Sequence, residues 1–153
     1  MNKPQLMGKL EHAWQAFRQS FAGLTEDQMQ LPGVVGDWSV KDIIAHVTGW
    51  EEEALKYLPL INLCVRPPRY TDMYGGIDAF NAQMTEINRD LPLVDVLSRL
   101  EETHHQLVSY LETIPEEMIR TETRFRKRLR LDTYSHYPEH TRAILDWRIR
   151  KNI

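Results

Sequence analysis

Residues 39–58 read SVKDIIAHVTGWEEEALKYL. Ser39 and Asp42 stand three apart at its start, the spacing at which a hydroxyl and a carboxylate satisfy each other's backbone N–H in a capping box. Behind them Ile43, Val47, Trp50, Ala54 and Leu58 recur every three or four residues. That spacing puts them on one stripe of an α-helix. Pro59 marks its expected end, because proline removes a backbone donor. His46 falls between Ile43 and Trp50, on the inward side.

Three further segments carry the same periodicity. The first has Leu6, Leu10, Ala13, Phe17 and Phe21 on one stripe, with Pro4 suited to its first turn. The third opens near Pro92 and runs Leu93, Leu97, Leu100, His104, Leu107, Leu111. The fourth carries Tyr137, His140, Ile144 and Trp147. Strand signals are nearly absent; the one β-tolerant stretch is the basic Thr121–Leu131. The expected fold is all-α: a four-helix bundle over residues 1–153 as one domain, since four amphipathic helices bury their stripes best against each other.

The link between helices two and three is long. It holds Pro67-Pro68 and Gly75-Gly76, both loop signals, and a short helix around Asp78–Asn88 with Phe80, Met84 and Ile87 as its apolar face. A link of this length can cross the bundle, so helices two and three need not be antiparallel neighbours. The halves also echo each other. Leu24-Thr25-Glu26-Asp27 precedes His46 by the same 22 positions that separate Ile114-Pro115-Glu116-Glu117 from His136.

The 153 residues are 42% hydrophobic and 27% charged, with net charge −3, a globular composition with no global pull toward polyanions. The expectation is no specific nucleic-acid partner, with the run Arg124–Arg130 read as a solvated loop giving weak, salt-sensitive association at most. One cysteine, Cys64, permits no internal disulfide. No apolar run suits a signal peptide or a membrane span, so a cytoplasmic location and no membrane partner are expected. A homodimer is also expected, from aromatic surface at Trp14, Trp147, Tyr70 and Tyr74. Glu51-Glu52-Glu53 reads as the exposed side of helix two.

His136 and His140 are four apart, so on a helix they share a face. His46, inward on another helix, is placed to complete a set of three. Three neutral imidazoles suit zinc, nickel, copper or ferrous iron and leave a coordination position open. The pair alone also reads as a solvated face, and His46 alone as a core histidine; the metal reading rests on the three together. Pro138 lies between the pair, so the last helix either starts near Ser135 or kinks. Asp42 and Asp132, each one turn before a ligand, are candidate carboxylate partners for the far ring nitrogens. His104 is read as a core histidine bonded to a carboxylate, with a supporting or acid/base role as the alternatives; it and Glu139 are the nearest candidates for a catalytic base.

Two segments carry a family resemblance. Gly36-Asp37-Trp38-Ser39-Val40-Lys41-Asp42-Ile43-Ile44-Ala45-His46-Val47-Thr48-Gly49-Trp50-Glu51 resembles the helix-two signature of the DinB superfamily, and the ClbS/DfsB-like branch above all. Asp132-Thr133-Tyr134-Ser135-His136-Tyr137-Pro138-Glu139-His140-Thr141-Arg142-Ala143-Ile144 resembles that family's last-helix motif. The resemblance implies an up-down-down-up bundle with a long crossover between helices two and three. It also implies a divalent metal, zinc or nickel, on His46, His136 and His140. Family activities include thiol-dependent transfer and hydrolysis of a reactive electrophile. The expected function is therefore hydrolysis of a reactive small molecule by a metal-dependent enzyme. Transfer using a low-molecular-weight thiol, or non-catalytic binding for stress protection, are the alternatives.

Overall fold

Four long helices form where the apolar stripes lie: α1 (Lys3–Ser20), α3 (Val40–Asn62), α6 (Leu93–Glu112) and α9 (Tyr137–Lys151). Between them sit α2 (Glu26–Met29), α4 (Tyr70–Tyr74), α5 (Ile77–Asn88), α7 (Glu117–Arg120) and α8 (Arg124–Asp132). The computed structural model describes residues 1–153. Its one β-type feature is an isolated bridge between Val35 and Trp38.

The helix starts follow the capping chemistry. The Asp42 amide donates to Ser39 Oγ at 3.1 Å, and the Ser39 amide donates to Asp42 Oδ2 at 2.9 Å. Asn2 and Gln5 form the same reciprocal pair at α1. Pro138 falls in the first turn of α9, where its missing N–H has no intrahelical partner to lose. Pro59, expected to end α3, does not: the helix runs on to Asn62. One proline removes a single donor, and the Leu63 amide still reaches the Pro59 carbonyl at 3.3 Å.

Side-chain contacts set the helix directions. Lys3 Nζ donates to the Ile114 carbonyl just past the end of α6, and Arg18 pairs with Glu101 further back, so α1 and α6 run oppositely. Lys41 Nζ reaches the Arg89 carbonyl ahead of α6, while Ile61 lines a cavity with Met118 beyond it, so α3 and α6 run the same way. Lys9 lies over Tyr134 and Arg148 donates to the Ser20 and Ala22 carbonyls, which makes α1 and α9 parallel.

Helix α3 is the central element, packed against α6, α8 and α5. This corrects the reading of Glu51-Glu52-Glu53 as a solvent face. Glu51 is fully buried and Glu53 nearly so, while Glu52 pairs with Arg99. A helix covered on several sides has little solvent face to offer. Trp14 and Trp147 are likewise core residues, packed in one apolar cluster with Leu6, Phe17, Ile43 and Ile144. The aromatic surface that suggested a dimer therefore loses two of its four members.

The basic run is not a loop. Thr123 caps it by accepting from the Arg126 amide, and Phe125 and Leu129, four apart and fully buried, dock α8 on α3. Two apolar residues among five cations show too little period to be read in advance. In α5 the inward residues are Phe80 and Met84; Ile87 is 76% exposed. Helix α5 approaches α3 at Gly49, where a Cβ would stand 2.0 Å from Met84 Sδ.

This close approach predicts a sign reversal. In a Met84→Ala background, Gly49→Ala gains helix propensity and stabilises by about 1 kcal/mol. With Met84 present the same change overpacks the seam, and the two substitutions couple by about 1–3 kcal/mol in urea denaturation.

Candidate metal centre

His46 sits in the second turn of α3, His136 caps the start of α9, and His140 follows one turn on. The His136 Nε2 atom lies 3.0 Å from His46 Nε2 and 2.9 Å from His140 Nε2. One nitrogen from each ring lies within 4.8 Å of the others. The rings meet edge to face, with centroids 4.6–4.9 Å apart, and Trp38 packs against His46.

Burial, and for His46 and His136 the neighbouring rings, hold all three imidazoles neutral. His46 is pushed down to about 2, His136 to about 3 and His140 to about 4. At neutral pH this cluster presents lone pairs at close range. A proton or a cation must lie between such atoms, since two lone pairs at 3 Å repel. No carboxylate shares the cluster, so the donor set is that of a site for zinc, nickel, copper or ferrous iron.

The expected carboxylate partners are not on the rings. Asp42 is engaged by Ser39, and Asp132 Oδ2 accepts from Arg128 Nε at 2.6 Å. His46 Nδ1 and His136 Nδ1 are buried without a partner. Each acid instead takes a donor close to it in sequence, Ser39 for Asp42 and Arg128 for Asp132.

His104 is elsewhere and differently employed. Its Nδ1 lies 3.0 Å from Glu51 Oε2 and its Nε2 lies 3.0 Å from Glu11 Oε2. Trp14 stacks on it at 3.6 Å with planes 3° apart. Burial pushes His104 down, but the hydrogen bonds and charges of Glu51 and Glu11 outweigh it and raise the pKa. This is the core histidine bonded to carboxylates that its place in the stripe predicts. His104 does not line the triad's cavity, which removes it as a base there. Neighbouring His105 is exposed.

The three histidines open onto a cavity of about 620 Å³ walled by Trp38, Trp50, Tyr70, Asn81, Arg128 and Asp132, with Glu139 among the lining residues. Arg128 is fixed twice: Nε donates to Asp132, and Nη2 donates to the Tyr70 hydroxyl at 2.7 Å, which itself donates to Glu53 at 3.0 Å. Burial raises Asp132 to about 6, against the pull of Arg128. Sequence reasoning did not place Trp38, Tyr70, Asn81 or Arg128 here. They come from the link before α3, the crossover and α8, and no periodicity joins those segments.

A helical bundle with three histidines on a side cavity is the class these features define. A family model of the DinB superfamily matches residues 9–143, and the chain belongs to the DinB superfamily. A search of the curated proteins finds no match. Among solved structures, the colibactin self-resistance protein ClbS, in complex with a dsDNA, is similar at TM-score 0.77 and 16% identity, covering 94% of this chain and 93% of that one. The sibling lethal factor precursor DfsB is similar at 0.79 and 15%, covering 99% and 97%. An uncharacterised protein from Escherichia coli UTI89 is similar at 0.80 and 11%, covering 99% and 95%. At these identities the likeness is one of fold. ClbS and DfsB represent the branch that residues 36–51 and 132–144 resemble. No helix is long and apolar enough to cross a membrane.

The ClbS structure overturns the expectation of no specific nucleic-acid partner. A protein of this fold is seen with duplex DNA, so a net charge of −3 is no ground for exclusion. The physical reason is that a duplex meets local charge, not the sum over the chain. Within α8, Arg126 and Arg130 are paired with Glu122 and Arg128 with Asp132, whereas Arg124 and Lys127 are exposed and unpaired.

Opposite pKa shifts of the two histidine groups predict opposite pH limbs in the metal-free protein. The triad's folded pKa values lie below the reference 6.5, so its contribution to stability is complete above pH 6.5 and is lost as the pH falls through about 4, 3 and 2. His104 is raised, so its contribution is complete below 6.5 and is lost as the pH rises through its folded value. Histidine NMR titration should show the three triad rings still neutral at pH 5 and the His104 ring titrating above the reference 6.5.

Proposed function

We propose that the chain is a metal-dependent enzyme that hydrolyses a reactive small molecule in the triad cavity, with one divalent metal, zinc or nickel, on His46, His136 and His140. The observation that carries this reading is the convergence of three neutral imidazole nitrogens, without any acid among them, at the wall of a cavity. When bound, such a metal supplies Lewis acidity and an open position for water, a low-molecular-weight thiol or substrate.

The protein's own groups do the rest. Trp38 and Trp50 present flat apolar walls that orient a planar substrate and exclude water. Asp132 is held through Oδ2 by Arg128, while Oδ1 makes no bond within the protein. With a pKa of about 6, it is ionised at neutral pH and accepts a proton in the same cavity. Glu53, Tyr70 and Arg128 lock that carboxylate in place from α3, α4 and α8.

Purified protein equilibrated with zinc or nickel should hold one metal per chain by elemental analysis, and His140→Ala should hold none at neutral pH. Acid should release the metal, because only neutral imidazole is a ligand. In cobalt-substituted protein, azide, imidazole or a small thiol should each perturb the visible spectrum. Wild type that stays metal-free overturns the reading; a spectrum unmoved by all three marks a closed, non-catalytic site.

A second reading, association with duplex DNA, is favoured by a separate observation. Arg66 and Arg124 line one cavity of about 660 Å³ on a different part of the chain from the triad, and Lys127 is exposed on the same helix as Arg124. Binding of a short duplex should weaken steeply with salt. Replacing Arg124 and Lys127 together with Ala should reduce the salt slope by about one for each phosphate that is no longer neutralised. A slope unchanged in the double variant overturns this placement.

A further inference from the structure

The cavity wall has, besides the histidines, a donor pattern that the metal reading does not use. The Trp50 indole nitrogen lies 2.8 Å from Asn81 Oδ1. An indole N–H can only donate, so the orientation of the Asn81 amide is determined: Oδ1 faces Trp50 and Nδ2 faces away. Trp50 is itself held by Tyr70 at 5.4 Å and Phe80 at 5.2 Å between ring centroids, so the amide is mounted on a rigid support. Asn81 Nδ2 makes no hydrogen bond within the protein and is not sealed from solvent. Both N–H groups are left for an occupant of the cavity.

Arg128 repeats the pattern. Nε and Nη2 are taken by Asp132 and Tyr70, and Nη1 has no protein partner. Its charge, however, is already balanced by Asp132 at 2.6 Å, and the Glu139 carboxylate also borders the cavity. In the metal-free cavity an anionic ligand would meet both carboxylates with little net attraction from Arg128. A neutral acceptor takes the same N–H donors without that repulsion.

Resting on the reading of this cavity as a substrate site, we propose that Asn81 Nδ2 and Arg128 Nη1 form a subsite for a carbonyl oxygen, and that the substrate is a planar, uncharged amide or related carbonyl compound, not a carboxylate. The donors fix the oxygen, Trp38 and Trp50 flank the planar part, and the histidines line the same cavity.

Benzamide and benzoate are a matched pair of probes: the same ring, with an amide or a carboxylate. Both are titrated at pH 8 into metal-free and zinc-equilibrated protein, followed by tryptophan fluorescence and by the Asn81 side-chain amide signals in the ¹⁵N spectrum. Benzamide should bind at least tenfold more tightly than benzoate in the metal-free protein and should shift the Asn81 amide signals. Asn81→Asp keeps an acceptor for Trp50 but replaces the free donor, and should weaken benzamide about tenfold with no change in metal content. Equal binding of the two probes, no binding of benzamide, or unmoved Asn81 signals overturns the subsite; the wild-type amide signals decide the matter even where the variant folds poorly. Metal bound without benzamide selectivity leaves the metal reading standing and removes this one. Selectivity without metal does the reverse.

Discussion

At the centre of the bundle a fully buried carboxylate, Glu51, is held against His104, which reaches on to Glu11. These two contacts join α3, α6 and α1. A buried charge with no partner costs several kcal/mol, so any slip of these helices that separates Glu51 from His104 is strongly disfavoured. Trp14, stacked on the imidazole, closes the apolar side. Glu51 Oε1 and the Tyr137 hydroxyl are both buried without a well-formed hydrogen bond, and the hydroxyl adds to the pull that opposes the burial-driven rise of the Glu51 pKa. Tyr137 stands next to His136. The register that satisfies Glu51 is therefore the register that brings His46, five residues earlier on α3, to the start of α9.

The same residue type serves two opposite ends in this molecule. His104 lies between two carboxylates and is held toward its charged form. His46, His136 and His140 are also buried or half-buried but meet no carboxylate, and they are held neutral. Burial lowers all four; the difference lies in what else each ring meets. The first, His104, ties three helices together through its two carboxylate contacts. The other is a set of neutral imidazoles whose ring nitrogens converge.

The cavity depends on segments outside the four long helices. Tyr70 from the crossover and Arg128 from α8 clasp each other, and Arg128 also lies over the rings of Tyr57 and Tyr70. Glycine at position 49 lets α5 close onto α3 through Met84, which brings Asn81 beside Trp50. The weak echo between the halves has a structural counterpart: the buried Leu24 and Ile114 each precede a one-turn helix, α2 or α7, and lie the same distance ahead of a triad histidine.

The sequence alone determined the helical class, the four long helices, the capping box at Ser39 and the membership of His46, His136 and His140 in one cluster. These depend on local rules: a 3.6-residue period, side-chain reach over one turn, and the inward phase of a stripe. His104 as a carboxylate-bonded core residue followed from its place in that stripe. Tertiary structure alone decided which carboxylates it meets, that Glu51 is buried, that residues 124–132 are a helix, and that Asp132 turns to Arg128 instead of to His136. The reason is the same each time. A polar side chain takes the best partner within reach, and its reach is set by helices that meet from distant parts of the chain, which no local spacing records.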